Sequence, residues 1–427
     1  MKKIKSKYII LILITVAIFI AALNLEFLRN SAKKFLPENI KNYVKILVFG
    51  EKYNNEIKFL KISNYNQKVF PETEFLKLDF EKRTLKYLNK AAENHYNILN
   101  KKKGELKKKF FVEIIEDKIF VFDAVGTSLL LDDKKNFEEK IIKNNIGELK
   151  TLDIKDVHFF NKEIFISYSY KKEENCNFFR IAKANYKNFP LKFKLFFSSD
   201  ECLKNVIAGK MSTYVFEGTE GLLVTTGSDG REELKHAQIE DSFYGKIVFF
   251  DIDKKNYKLI SKGHRNPQGL FIHKENIIST EHGPKGGDEI NLIKKGGNFG
   301  WPISSYGESY KFKFNLNKNY KYKKNHINNN FVEPIFSFVP SIGISQIIKV
   351  PKNFSKFWNE DFLVSSLNGR SLFRIKFDKD YSKVVYIEKM IVGERIRDLV
   401  YSEKLKAFLL ALEDTGSLGV VKVKEKF

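Results

Sequence analysis

The sequence predicts an all-β fold, and three observations support this prediction. From Phe110 onward, short apolar runs are separated by Gly, Asn or Asp. These runs are rich in Val, Ile, Phe and Tyr, as β-strands are, and no long segment with a helical period interrupts them. The third observation is an internal repeat of about 40–50 residues with four runs per copy. Together they predict a six-bladed β-propeller.

The repeat is clearest between residues 245–283 and 369–416. Both segments give a strand, an acidic turn, a strand, a short Arg-containing segment after Gly, two further strands and a turn with an acid and a Gly. A weaker copy starts at 177–186. The C-terminal run GVVKVKEKF can complete a blade with an N-terminal strand. A β-sandwich is the alternative, but it explains the repeat less well.

Composition limits the functional classes. The 427 residues are 43% hydrophobic, which is enough for a large core and excludes a mainly disordered chain. Two cysteines cannot build a disulfide scaffold or a four-thiolate metal site. The formal charge of +23 suggests an anionic partner such as a nucleic acid, an anionic membrane or an acidic ligand.

The segment 311–330 has six lysines and no acid, interleaved with aromatic residues, which superficially resembles a nucleic-acid surface. Lys, Asn, Ile and Phe are, however, frequent along the whole chain. We therefore interpret the segment as an inserted, solvated loop at the rim of a pocket or against anionic lipid, and expect no nucleic-acid partner.

The N-terminus predicts a membrane anchor. MKKIKSK carries four lysines and precedes 18 uncharged residues from Tyr8 to Leu25. A helix of that length spans roughly 27 Å, about the thickness of the hydrocarbon core. Cleavage after Ala22 is the alternative, but no clean A-x-A motif precedes that position.

These features predict three parts: a signal-anchor helix at 1–25, a small basic spacer or cap at 26–105, and the propeller at 106–427. The lysine-rich N-terminus stays inside, so the propeller is expected on the periplasmic or extracellular side. The protein is secreted if the anchor is cleaved. In such an oxidising compartment Cys176 and Cys202 can form a disulfide, although they need not.

Three polar, glycine-rich segments follow predicted strands: GHRNPQGL (263–270), EHGPKGGDEINLIKKGGNFGWP (281–302) and GERIRDL (393–399). The seven histidines show no zinc-site spacing. The sequence also has no phosphate-binding loop and no nucleophile elbow.

The segments supply a cluster of cations instead. Arg265, Arg395 and Arg397 stand at equivalent places in two repeats, so a propeller would direct them to one face. Guanidinium groups bind carboxylates through paired hydrogen bonds, so the expected ligand is small and multiply anionic. The turn at 282–284, His-Gly-Pro, can present backbone carbonyls to a hard cation such as Ca²⁺.

The motifs GHRNPQGL, EHGPKGGDEIN, GGNFGWP, SSLNGRSLFRIKFD and RIRD together resemble the soluble quinoprotein glucose/sorbosone dehydrogenases, including the aldose sugar dehydrogenases. The resemblance covers roughly residues 110–427. It implies a six-bladed propeller that binds pyrroloquinoline quinone (PQQ) and Ca²⁺ on one face. PQQ carries three carboxylates and an ortho-quinone, which suits an arginine cluster.

The resemblance also assigns residues. Those implied to bind the cofactor are Arg265 and Asn266 at the quinone oxygens, with His282 nearby, Arg395 and Arg397 at the carboxylate side, and Asn368. Those implied to bind calcium are Gly283 and Pro284 through their carbonyls. Asp288 and Glu289 either belong to a second, structural calcium site or cap a turn.

The departures from the family pattern concern catalysis. The family's general-base His falls on Gly209, and Thr213 replaces a nearby Arg. The acid after T-G becomes Ser228, with Asp229 shifted by one place, and a lysine that holds the quinone in some members is Asn368. Losing a positioned base typically costs ~10²–10⁴-fold in rate.

Lys210 and His236 are the candidates for a relocated base. Lysine accepts protons at neutral pH only when burial or neighbouring cations lower its pKa, and the arginines can have that effect. The predicted catalytic set is therefore Arg265, Lys210 and Asp229.

The resemblance implies an oxidoreductase that acts on CH–OH donors and transfers a hydride from C1 of an aldose to PQQ polarised by Ca²⁺. Three alternatives stay open: an active quinoprotein with a relocated base, a PQQ binder of low activity, and a degenerate propeller that binds a sugar or a protein. The sequence does not identify the sugar or the electron acceptor.

Overall fold

The computed structural model describes five stretches of the chain: residues 76–91, 108–149, 151–228, 234–309 and 321–424. The strands in these stretches form six sheets of four or five strands, so the prediction of a six-bladed β-propeller is confirmed. They lie in one compact unit, Glu74–Phe427.

The strands are numbered along the chain, and each blade is given from its inner to its outer strand. Blade 1 contains β2 (Phe110–Ile115), β3 (Lys118–Asp123), β4 (Ser128–Asp132) and β5 (Glu138–Ile142). Blade 2 contains β6 (Thr151–Phe160), β7 (Glu163–Glu173), β8 (Cys176–Asn185) and β9 (Lys194–Ser198). Blade 3 contains β10 (Ala208–Phe216), β11 (Thr219–Thr226), β12 (Lys246–Asp251), β13 (Asn256–Lys262) and the short β17 (Gly297–Asn298). Blade 4 contains β14 (Pro267–His273), β15 (Asn276–Glu281), β16 (Asp288–Leu292) and β18 (Phe336–Phe338).

Blade 5 contains β19 (Ile344–Lys349), β20 (Phe362–Ser366), β21 (Ser371–Phe377) and β22 (Val384–Ile391). Blade 6 contains β23 (Ile396–Ser402), β24 (Ala407–Leu412), β25 (Ser417–Val423) and β1 (Leu78–Thr84). Helical turns are short: residues 86–91, and the 3-10 turns Asp133–Lys135, Ile146–Leu149, Leu234–Ala237 and Ile327–Asn329.

The repeat seen in the sequence is confirmed, but its frame is offset from a blade. Residues 245–283 contain β12 and β13 of blade 3 followed by β14 and β15 of blade 4. Residues 369–416 contain the equivalent four strands of blades 5 and 6. The Arg-containing segments therefore lie at the crossings between blades, immediately before or at the start of an inner strand.

Hydrophobic packing between blades explains why the strands are continuous apolar runs. In β3, Phe120 and Phe122 pack into the cluster shared with blade 2, whereas Ile119 and Val121 pack into the cluster shared with blade 6. Alternate side chains point to opposite faces of a strand. Because both faces of the blade are covered, both sets must be apolar.

The ring closes through β1, which pairs antiparallel with β25 from Leu78↔Val423 to Thr84↔Ser417. Leu85 and Leu88 are then buried between blades 6 and 1. The domain boundary predicted at residue 106 is therefore wrong for this segment, since part of the expected spacer supplies a propeller strand. Pairing of the C-terminal strand with an N-terminal one was expected and is observed.

Two further expectations concern loops and cysteines. Cys176 and Cys202 form a disulfide with a Cα–Cα distance of 5.1 Å. In the segment expected to be a solvated loop, Tyr322 and His326 are buried. Tyr322 lies against Trp301 with ring centroids 5.3 Å apart, whereas most of the other residues of 321–330 are exposed, as expected of a solvated loop.

The predicted anchor at 1–25 lies outside the described residues. Among the residues that the structure does describe, no helix is long and apolar enough to cross a membrane.

The inner strands β2, β6, β10, β14, β19 and β23 pack side by side around the ring. All six begin at the same end of the ring, and the turns between second and third strands lie at that end too, because neighbouring strands are antiparallel. We call this end the upper face.

Candidate functional site on the upper face

A continuous chain of polar side chains crosses the upper face from blade 6 to blade 4. Nη1 of Arg397 donates to Oε1 of Gln268 at 3.1 Å, and Nε2 of Gln268 donates to Oδ1 of Asn266 at 2.8 Å. Nδ2 of Asn266 lies 3.3 Å from Nδ1 of His282. Nη1 of Arg265 donates to the carbonyl oxygens of His282 at 3.0 Å and Gly283 at 2.7 Å. The structure thus brings together most of the predicted cofactor-binding residues.

His282 is the least satisfied member of this chain. Its Nε2 atom is buried and has no hydrogen-bond partner among the described residues. Burial lowers the pKa of its imidazole, and Arg265 and Arg397 lower that pKa further against the opposing effect of Asp288. The ring is therefore neutral at pH 7 and lies in a cationic environment.

Buried polar side chains of blades 3 and 4 fix the loop that carries Arg265. The backbone N–H of Arg265 donates to Oε1 of Glu281, and Oε2 of Glu281 lies 2.9 Å from Nδ1 of His264. Nε2 of His264 is in turn 2.9 Å from Oγ of Ser261. All of these side chains are buried, so the motif residues around Arg265 are fixed by a closed hydrogen-bond network.

The motifs GHRNPQGL and GGNFGWP are in close backbone contact. Gly263 has φ +82°, and a Cβ there would collide with Oδ1 of Asn298. The N–H of Trp301 donates to the carbonyl of Gly263 at 3.0 Å. The guanidinium of Arg265 then lies 5.4 Å from the Trp301 ring, within cation–π distance.

Arg395 and Arg397 share one buried carboxylate. Their Nε atoms lie 2.5 and 2.9 Å from the two oxygens of Glu413, whose side chain is fully buried at the end of β24. Burial alone would raise the pKa of Glu413, but Arg397 and Arg395 outweigh it and lower that pKa. Glu413 therefore stays ionised and fixes both arginines in place.

Lys109 and Lys155 extend the cationic surface onto blades 1 and 2. Nζ of Lys109 lies 3.0 Å from Oδ1 of Asp153, and Nζ of Lys155 lies 2.8 Å from Oδ2 of the same carboxylate. The pKa of Lys109 is lowered to about 8: burial lowers it most, Asp153 opposes this effect, and Lys155 and Arg397 lower it further. Lys109 directly precedes β2 and Arg397 lies in β23, and these two inner strands pack side by side.

Lys210, the predicted base, lies in a different environment. Its Nζ atom is 2.8 Å from Oδ1 of Asp156 and 3.5 Å from Oδ1 of Asp398. Burial would lower the pKa of Lys210, but Asp156 and Asp398 raise it above its ordinary value. These ion pairs disfavour a proton-accepting role, which stays a prediction.

Residue 209, where the family has its general-base histidine, has no space for a side chain. Gly209 has φ +108°, and a Cβ there would lie 2.5 Å from Cβ of Lys155 and 3.0 Å from Oγ of Ser167. Oγ1 of Thr213, the other replaced position, lies 2.9 Å from Nε2 of His158. The backbone as folded has no room for a side chain at residue 209.

The remaining predicted catalytic positions are only partly described. Ser228 accepts a hydrogen bond from Nε1 of Trp301 at 2.6 Å through its carbonyl, whereas Asp229 lies outside the described residues. Nδ1 of His236 is 3.0 Å from Oγ of Ser242 and 3.2 Å from Oε2 of Glu201.

The predicted calcium ligands lie beside Arg265. The carbonyl of Gly283 accepts the hydrogen bond from Arg265 described above, and Pro284 follows it. Asp288 accepts from the N–H groups of Gly283 at 3.1 Å and Ile344 at 3.0 Å, as expected of a residue that caps a turn. A metal role for Asp288 stays a prediction.

Glu289 is buried 3.5 Å from Nε2 of His326. Burial, followed by the charge of Glu281, raises its pKa well above the ordinary value. Within the described parts of the chain, no group of three or more His, Cys, Asp and Glu side chains has a metal-binding arrangement. Calcium binding by Gly283, Pro284 and Glu289 stays a prediction.

Asn368 lies in the β20–β21 turn of blade 5, also at the upper face. It is exposed, and its backbone is close to Gly343. It takes no part in the hydrogen bonds described above, so its assignment to the cofactor stays a prediction.

The sequence model of the glucose/sorbosone dehydrogenase family matches residues 111–420. The chain belongs to this family. The matched range begins one residue into β2 and ends inside β25, so it covers blades 1–5 and the three inner strands of blade 6.

Two curated relatives of the family match about half of the chain. The aldose sugar dehydrogenase YliI of Escherichia coli (strain K12) is 27% identical over 222 residues, which are 48% of this chain and 57% of that protein. The quinoprotein glucose dehydrogenase B of Acinetobacter calcoaceticus is 28% identical over 236 residues, 42% of this chain and 49% of that protein. The chain thus matches about half the length of these relatives.

Solved structures show the same fold. The apo-form of the soluble aldose sugar dehydrogenase from Escherichia coli has a TM-score of 0.64 at 19% identity, covering 82% of this chain and 100% of that one. The PQQ-bound form of the aldose sugar dehydrogenase from Streptomyces coelicolor has a TM-score of 0.58 at 16% identity, with 82% and 100% covered.

Sequence reasoning missed four residues of this glucose/sorbosone dehydrogenase family member: Gln268, Glu413, Lys109 and Lys155. Gln268 lies inside the GHRNPQGL motif and was detectable there. Glu413 stands in the acidic turn of the repeat, 18 residues after Arg395, where only the paired strands reveal the contact. The two lysines had no signal beyond a lysine-rich composition.

Proposed function

We propose that the protein is a PQQ-dependent sugar dehydrogenase that oxidises an aldose, or a related alcohol, at its anomeric carbon. The observation that carries this proposal is the chain Arg397–Gln268–Asn266–His282–Arg265 across the upper face. Membership of the family, a curated relative named as a quinoprotein and a structural neighbour with PQQ bound support the choice of cofactor.

The residues fit a planar tricarboxylate with a quinone. Arg395 and Arg397 are fixed by Glu413 and present cations for carboxylates. Asn266 and Arg265 offer N–H donors at the other end of the chain, where His282 has a buried ring nitrogen without a partner in the described residues. When bound, PQQ supplies the two-electron acceptor for the sugar's hydride.

Calcium belongs to the same proposal. The carbonyl oxygens of Gly283 and Pro284 are of the type that Ca²⁺ prefers, and a carboxylate of the cofactor would complete the ligand set. Arg265 donates to the carbonyl of Gly283 in the described structure, so it would have to share or release that oxygen. In the proposed site the ion would polarise the quinone.

Proton removal is the weak step of the proposed reaction. Position 209 carries no base, and Lys210 is held as an ammonium by two aspartates. We therefore propose slow turnover, below that of an enzyme with a positioned base by about 10²–10⁴-fold.

We also propose that the propeller is exported and held at the membrane by residues 1–25, or secreted if that segment is cleaved. The disulfide between Cys176 and Cys202 supports an oxidising compartment.

The test is reconstitution of the full-length protein, purified in detergent, with PQQ and Ca²⁺. Reduction of a dye acceptor is then followed over a panel of aldoses, polyols and acidic sugars. The proposal predicts saturable PQQ binding and slow, sugar-dependent dye reduction. Binding without turnover would leave a non-catalytic PQQ binder, and absence of PQQ binding would overturn the proposal.

A further inference from the structure

Two lysines that no motif identified lie beside the predicted arginine cluster. Lys109 precedes β2 of blade 1, and Lys155 lies in β6 of blade 2. Both side chains are mostly buried, with 17% and 12% of their surfaces exposed, and their Nζ atoms bind opposite oxygens of Asp153. Two lysines held against one carboxylate carry one uncompensated positive charge.

The neighbouring arginines also outnumber the carboxylate that pairs with them. Arg395 and Arg397 share the single carboxylate of Glu413. The four cations of this part of the upper face thus face two carboxylates. Below them, Asp156 and Asp398 bind Lys210 and the N–H groups of Met211 and Val112, so these acids are already engaged.

Mutual repulsion between the cations is visible in Lys109. Burial lowers its pKa most and Asp153 raises it, while Lys155 and Arg397 both lower it. An anion bound between them would relieve this repulsion and would accept their hydrogen bonds.

Gly209, which stands where the family has its general-base histidine, packs against one of these two lysines. A Cβ at residue 209 would lie 2.5 Å from Cβ of Lys155. The glycine that removes the family's base is thus the residue that allows the Lys155 stem to lie against β10.

We propose that Lys109 and Lys155, together with Arg397, form a carboxylate-binding subsite of the upper face. The inference rests on the proposed function, because the expected carboxylate is one of the three on PQQ. An acidic sugar could bring the same chemical group, and the experiment below separates these two sources.

The experiment measures binding of PQQ and of its uncharged trimethyl ester to the full-length protein. The variants are Lys109→Met, Lys155→Met and Lys109→Arg, and the matched control is Lys183→Met, which removes a lysine ion-paired with Glu163 in blade 2. We expect each Met variant at the site to weaken PQQ binding about 10-fold or more. Lys109→Arg stays within about threefold, the control is unchanged, and the ester binds all variants alike.

The possible outcomes distinguish a failure of the lysine subsite from a failure of PQQ as the proposed cofactor. Unchanged affinity of both site variants for PQQ, with unchanged KM for glucuronate relative to glucose, would overturn the subsite. A selective rise in KM for glucuronate would support it with the sugar as the carboxylate source. If the wild type binds no PQQ but binds citrate in a Lys109-dependent manner, the subsite stands and the proposed cofactor fails. Circular dichroism melts of every variant identify loss of folding, and recovery by Lys109→Arg identifies the charge as the cause.

Discussion

The two sides of the upper face differ in how they keep the pattern of the family. On blades 4 and 6, Arg265, Asn266 and Arg397 lie in one hydrogen-bonded chain above buried acids. On blade 3, the position of the family's base is the crowded Gly209, and Lys210 is held as an ammonium by Asp156 and Asp398. In the proposed function, the side chains expected at the quinone lie on blade 4, whereas the position of the family's base lies on blade 3, so one set of residues can change while the other stays.

The largest effect is expected for PQQ affinity when Arg265 of the blade 4 and blade 6 side is changed. Arg265→Ala removes the donor at the centre of the chain and its contact with Trp301, so PQQ affinity should fall by about 100-fold or more. Fluorescence titration with PQQ measures it. Arg83→Ala, on the outer strand of blade 6, serves as the control. Equal PQQ affinity of the Arg265 variant and the wild type would contradict the assignment of Arg265 to the cofactor site.

The next effect concerns the buried acid that fixes two arginines. Glu413→Gln keeps the shape of the side chain but leaves Arg395 and Arg397 without their shared charge, which should cost about 3 kcal/mol of unfolding free energy. Urea unfolding measures this loss. Glu138→Gln removes an exposed pair with Lys135 and should cost less than about 0.5 kcal/mol. Similar losses in both variants would contradict a special role for Glu413.

On blade 3, Gly209 should be required for packing. Gly209 near the start of β10 and Gly218 in the β10–β11 turn both have positive φ, but only Gly209 is crowded. Gly209→Ala should therefore lower the unfolding free energy by about 1–3 kcal/mol more than Gly218→Ala. Gly209→His should likewise destabilise the fold and should not restore turnover. A stable and faster His variant would show that the base position is still open.

The smallest effect is a pH dependence that belongs to the lysine subsite. The pKa of Lys109 is lowered to about 8, so the free protein loses this charge as pH rises above 8. A bound anion favours the charged form and raises that pKa, so binding takes up a proton and PQQ affinity falls as pH rises above 8, by at most about tenfold per pH unit. Lys109→Arg should flatten this dependence because arginine keeps its proton. Equal slopes in the two proteins would exclude Lys109.

The sequence was informative where a local pattern carries the structure. Both faces of each blade are covered, so strands such as β12, KIVFFD, are recognisable apolar runs, and the repeat predicts six blades. The outer strand β1, LDFEKRT, was not recognisable because it lies at an edge and is mostly charged and exposed. Its role depends on pairing with β25 at the other end of the chain.

The site was predictable to a similar extent. Arg265, Asn266 and Arg397 follow from motifs at the starts of inner strands. The partners of Lys210 do not, because Asp156 and Asp398 come from other blades, 54 and 188 residues away. The low pKa of Lys109 and the high pKa of Lys210 depend on such distant charges, so the ring had to be assembled before either could be assigned.

A crystal structure of the protein grown with PQQ and Ca²⁺ tests the proposed cofactor site most directly. We expect one PQQ molecule on the upper face, with carboxylates at Arg397 and Lys109 and its quinone oxygens at Arg265 and Asn266. A complex with PQQ bound elsewhere, or an upper face without PQQ at saturating concentration, would contradict it.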